Sequence, residues 1–202
     1  MRNLWSRMKQ ALWGESRPPR YGVETRGIDP DFSEEDALGP SQLAALGELV
    51  ELLASKLGTE RAAALAQQAI QAADKSMGEA MAFASGTNVD VDFALSIYLD
   101  WNGGDEVEWQ VNRVLETLEV DERWRLELNP ANRSMPAIFK SLEDWLAVRD
   151  YHVWHVKTDG DDALLFPIQR KDMALAARLA GEFEMRLFTL AESKPYYGVV
   201  TE

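Results

Sequence analysis

The chain has no cysteine, which excludes disulfides and thiolate metal sites outright and suits a reducing cytosol. Histidine is almost as scarce, with only His152 and His155. Nucleophilic catalysis needs a nucleophile held beside a base that a third group orients, and the sequence offers neither a cysteine nor a G-x-S-x-G turn for that role. The two histidines lie three apart on an expected strand, where side chains alternate. They therefore point to opposite faces and chelate one ion poorly. There is no H-E-x-x-H helix, no P-loop lysine and no dinucleotide fingerprint. No apolar run approaches the roughly 18 residues that span a bilayer. The N-terminus lacks the continuous apolar stretch of a secretory signal, so a cytoplasmic protein is expected.

What is present is an ordinary globular composition with an uneven charge. Over 202 residues, 46% hydrophobic and 27% charged content match a soluble protein able to bury a core without staples. Residues 1–28 carry Arg2, Arg7, Lys9, Arg17, Arg20 and Arg26 against Glu15 and Glu24, a net +4 within a total of −13. The remaining residues therefore hold −17. An acidic body repels a phosphate backbone, which argues against nucleic acid and favours a basic protein partner.

Periodicity divides the chain into an amphipathic N-terminal helix over 1–13, a flexible Pro- and Gly-rich linker over 14–40, and a single domain over 41–202. In the domain, Leu43, Leu46, Val50, Leu53 and Leu57 mark a first helix, with Ser41 as its N-cap and Gly58 as its stop. Thr59 caps a second, alanine-rich helix through Ile70, and a third short one is expected over 76–85. Strict alternation from Val89 onward predicts a strand, firmest over 93–101. A helix follows Asp105, with Val107, Val111, Val114, Leu115 and Leu118 inside. "RWRLEL" (123–128) suggests a short strand. Ser134 caps a helix bearing Pro136, Ile138, Phe139, Leu142, Trp145 and Leu146. "YHVWHVKT" and "ALLFPI" flank the turn "DGDD" as a hairpin. A helix with Met173, Ala176, Leu179, Ala180 and Phe183 inside and the strand "MRLFTL" complete the chain. The expected fold class is α+β: an N-terminal helical hairpin, then a small, mostly antiparallel sheet with helices packed on it.

The stretch "YLDWNGGDEVEWQVNRVL" (98–115) reads as a strand-to-helix corner whose acids have structural uses. Asp105 caps the helix, and Glu106 and Glu108 sit in its first turn, where carboxylates favour the helix dipole. Trp109 is left over, on the side away from the apolar stripe. The corner carboxylates Asp100, Asp105 and Glu106, and the turn residues Asp161 and Asp162 beside Asp159, complete the partner-binding candidates with Trp109. Oxygen clusters of this kind can hold Mg²⁺ or Ca²⁺, but aspartates are common in turns for local reasons, so no metal and no cofactor is assigned. Leu4, Trp5, Met8, Leu12 and Trp13, flanked by basic residues, suit either docking on protein or an anionic lipid surface.

Together with "DYHVWHVKTDGDDALLFPI…LAARLAGEFEMRLFTL", that stretch resembles an uncharacterised bacterial family. Its members pair an L-D-W segment and an acidic helix with a C-terminal strand–strand–helix–strand unit. The resemblance covers residues 41–190, implies an α+β fold in a bacterial cytosol, and carries no known activity. In general character the chain is also similar to immunity proteins, which neutralise toxins by covering a basic active surface.

The function expected is therefore non-enzymatic: an acidic cytosolic interaction protein, of immunity or inhibitor type, binding a basic partner. The alternative is a peripheral membrane adaptor held through residues 1–13. A further alternative is a carboxylate enzyme with a divalent ion.

Overall fold

In the computed structural model, which describes residues 38–73, 92–99, 106–128, 134–156, 163–183, 185 and 187–193, a proline starts the first helix. Helix α1 (Pro40–Leu53) has Pro40 in its first turn, where the ring's fixed φ suits the helix and the missing N–H costs nothing. The Gly39 amide donates to Gln42 Oε1 at 2.9 Å, and the Gly39 carbonyl accepts from Leu43 at 3.0 Å. Ser41, expected as the N-cap, is instead inside the helix, because Pro40 moves the start upstream. A 3-10 turn (Ser55–Leu57) leads to Gly58, whose φ of 88° is open to glycine at no Cβ cost. The Gly58 carbonyl accepts the Ala62 N–H at 3.0 Å. Thr59, expected as a cap, is accordingly the first residue of α2 (Thr59–Ala73). The two helices form a close hairpin: a Cβ on Gly47 would lie 2.9 Å from Ile70 Cδ1.

The sheet comprises β1 (Ile97–Leu99), β2 (Tyr151–Val156), β3 (Ala163–Gln169) and β4 (Leu187–Phe188) in the order β1-β3-β2-β4. Every pairing is antiparallel, and Trp154 faces Phe166 across the β2–β3 hairpin. The near-continuous apolar run of β3 follows from its position, since it is buried on both faces. Pro167 is tolerated because β1 reaches only Ala163–Leu165, leaving β3 a local edge on that side. The remaining helices are α3 (Val107–Thr117), α4 (Met135–Ala147), α5 (Met173–Glu182) and the short α6 (Leu190–Ser193). Ser134 caps α4 as expected, its side chain accepting from Ala137 N.

Helices cover both faces of the sheet. On one side α1, α2 and α5 pack on Trp154, Val156, Leu164, Phe166 and Ile168. On the other, α3 and α4 pack on Ile97, Tyr151, Val153, Ala163 and Leu165. The fold is thus α+β, a helical hairpin followed by a small antiparallel sheet with helices packed on it.

Three expected strands change. Over 93–99 only Ile97–Leu99 pairs. The chain bends at Leu95, so Phe93 and Leu95 join the first cluster while Ile97 joins the second. The Ala94 amide, instead of pairing in the sheet, donates to Thr117 Oγ1 at 2.9 Å. Residues 123–128 form no strand, because side chains of α3 take their backbone groups. The last strand is only Leu187–Phe188, because Thr189 opens a helix. Glu192 Oε2 accepts from both the amide and hydroxyl of Thr189 at 2.8 Å, the reciprocal capping box of a T-x-x-E sequence. The helices expected over 1–13 and 76–85 lie outside the described residues, as do residues 14–37 of the linker expected over 14–40, whose last residue, Pro40, instead begins α1.

Candidate functional site

Helix α3 uses three of its sides for the fold. Its apolar side, Val107, Val111, Val114 and Leu115, is buried on the sheet. One shoulder serves the sheet edge: Gln110 Oε1 accepts the Tyr98 N–H at 2.8 Å, and Thr117 Oγ1 takes Ala94. This partly covers the outer side of edge strand β1, where an unpaired amide would otherwise invite another chain.

The other shoulder is a ridge of Glu108, Asn112 and Glu116, spaced i, i+4, i+8 so that they align along the helix. The Asn112 side chain meets Trp124 as a strand would, accepting its N–H and donating to its carbonyl, both at 3.0 Å. Asn112 Nδ2 also reaches the Glu108 carbonyl at 2.7 Å. Glu108 Oε2 accepts from Leu126 N at 3.1 Å, and Arg123 bonds Glu116 Oε1 at 2.6 Å and the Asn112 carbonyl at 3.2 Å. These bonds hold the 123–126 segment against the helix and press Trp124 into the core at 1% exposure.

Trp109 lies on the fourth side. At about 100° per residue it projects roughly opposite the centre of the apolar stripe. It is 62% exposed, and the Arg113 guanidinium lies 5.5 Å from its ring centroid. Glu106, one turn earlier, occupies the cap position of α3 without a side-chain capping bond. Asp105, expected as that cap, lies outside the described residues. Segment 106–128 is acidic, with seven carboxylates against three arginines. Glu116, Glu119 and Glu122 pair with Arg123, Lys56 and Arg149. Glu106, Asp121 and Glu127 make no ion pair among the described residues.

Of the partner-binding candidates, the structure therefore places Glu106 and Trp109 together on one exposed face. Asp100, Asp105, Asp161 and Asp162 lie outside the described residues, as do Leu4, Trp5, Met8, Leu12 and Trp13. The ridge Glu108–Asn112–Glu116 was not anticipated. Its spacing is visible in sequence, but the segment it holds is not.

The histidines occupy opposite faces of β2. His155 is 1% exposed, with its ring edge-on to Phe139 at 5.0 Å between centroids. Burial lowers its imidazole from the ordinary 6.5 to about 4, and the neighbouring His152 adds to the effect. His152 Nε2 stands 3.8 Å from Glu143 Oε1, and its ring meets that of Trp154, two residues along the same strand, edge-on at 5.7 Å between centroids. Among the described residues no three His, Asp or Glu side chains are grouped to hold a metal ion, and no helix is long and apolar enough to cross a membrane. A recess between Leu52, Lys56, Tyr151 and Ile168 encloses about 20 Å³, room for about one water.

These features define an α+β domain whose third helix clamps two neighbouring segments and presents a tryptophan outward. The model of a family described as a domain of unknown function (DUF6630) matches residues 45–191, and the chain belongs to that family. No curated protein and no solved structure matches the chain.

Proposed function

We propose that this protein works by stoichiometric binding to a partner protein rather than by turnover, with an inhibitor or immunity role as its most specific form. The observation that carries the reading is Trp109, 62% exposed on a helix whose other three sides are committed to the fold. Tryptophan is the residue type most enriched where a few side chains carry most of the binding energy. Leaving its ring in water does nothing for the core. The acidic balance of the chain, −13, supports a basic partner, which it would steer and orient.

The test is a tagged pull-down with full-length protein from lysate of its own source. Wild type and Trp109→Ala are run in parallel, and any recovered complex is sized by light scattering. The expected result is one dominant basic partner in a fixed molar ratio. Recovery of no partner in a fixed ratio, at moderate salt, removes the binding reading.

A further inference from the structure

We infer that the outer face of α3, with Trp109 at its centre and Glu106 beside it, docks a basic segment of the partner that brings an apolar side chain together with a lysine or arginine. This rests on the binding reading and specifies its surface and chemistry. The charge selects the sign. Glu106 has no counter-ion among the described residues, and neither do Asp121 and Glu127 of the same segment. A purely apolar partner would strip water from Glu106 and leave its charge with only the N-terminal dipole of α3 to offset it. An acidic partner would be repelled. A basic segment meets both demands.

Arg113 decides how the two features are shared. Its guanidinium already stands over the Trp109 ring at 5.5 Å, so a second cation on that ring would meet like charge. The incoming cation is therefore directed to Glu106, and the open part of the ring takes the apolar side chain. An aromatic anchor with a charged rim is the usual anatomy of a small binding surface.

The test uses the full chain labelled with ¹⁵N and follows the indole N–H of Trp109 during titration with a six-residue peptide alternating arginine and leucine. Matching glutamate–leucine and arginine–glycine peptides are the controls. The expected result is a saturating shift of Trp109 with the arginine–leucine peptide, none with glutamate–leucine, and weaker binding of arginine–glycine. Glu106→Gln should weaken the arginine–leucine peptide by about five-fold, the upper end for an exposed ion pair, while Glu60→Gln, on the far side of the sheet, should change it less than two-fold. Equal weakening by both substitutions would mean diffuse attraction to an acidic protein and would overturn the proposal, as would an unmoved Trp109 indole. The outcome separates from that of the pull-down: a partner still captured by Trp109→Ala leaves the binding function standing and removes this face.

Discussion

Among the described residues, His155 holds the clearest pH dependence. Its imidazole is pulled down from 6.5 to about 4, by burial first and by His152 second, so the folded chain binds fewer protons than the unfolded chain between those values. Where the unfolded state binds more protons, stability rises with pH. The contribution of His155 is therefore flat above about pH 6.5, is lost as pH falls through the window, and levels off below about 4. At about 1.4 kcal/mol per pH unit, the loss across the window is about 3 kcal/mol. Urea unfolding at pH 7.5, 5.5 and 4.5 should show a steeper acid slope for wild type than for His155→Leu, since carboxylate titration is common to both. Parallel slopes would sink the assignment. The tryptophans give a second contrast. Trp109→Ala should change stability by less than about 0.5 kcal/mol, as an exposed substitution does. Trp124→Ala, at 1% exposure, should cost about 3–5 kcal/mol by opening a cavity. If thermal melts rank the two the other way, the outward placement of Trp109 is wrong.

For the elements, α3 shows what could be read in the sequence and what could not. Its apolar stripe repeats every three or four residues, so the helix and the side of it that bears Trp109 follow from local spacing, whereas the exposure of that ring depends on what packs beyond it and shows only in the fold. The α1, α4 and α5 stripes are legible for the same reason, Leu46, Phe139 and Leu179 each lying in the core as expected. The strands were harder. Alternation persists in 93–99 through a bend that changes which face is buried, and "RWRLEL" alternates without pairing. What decides both segments is a side chain far away in sequence: Thr117 for Ala94, and Asn112 for Trp124. No period reports such partners. The cap at Ser134 is local and was legible, whereas the T-x-x-E box at Thr189 and Glu192, equally local, was hidden by the alternation of "MRLFTL" and ends the last strand two residues early. The Asn112 clamp is testable. Asn112→Ala removes both bonds to the Trp124 backbone and leaves partly buried groups unpaired, at a cost of about 2–3 kcal/mol. Hydrogen exchange at the Trp124 amide should accelerate in step. Asn112→Asp keeps the acceptor for that amide and loses the donor, so it should fall between wild type and alanine. An alanine variant with wild-type exchange at Trp124 would show that the segment is held by its side chains instead.

Across the whole molecule, the sheet is the shared wall of two cores. The sequence order, helices first and strands later, suggests two halves that could come apart. The packing argues otherwise. Alternate residues of β3 enter opposite clusters, Leu164, Phe166 and Ile168 on the side of α1, α2 and α5, and Ala163 and Leu165 on the side of α3 and α4. Neither helical layer can leave without exposing to water the apolar residues on one face of the most buried strand. Damage to either layer should therefore be felt by both. Leu46→Ala on α1 and Phe139→Ala on α4, at 0% and 1% exposure, should each destabilise the chain by about 3–4 kcal/mol. Both should shift the same single transition, with far-ultraviolet circular dichroism and tryptophan fluorescence superimposing in each variant. Independent layers would behave differently: Leu46→Ala would release an early phase seen in helix signal while fluorescence from Trp124 held. Separation of the two signals in either variant would mean that the sheet carries two domains rather than joining one.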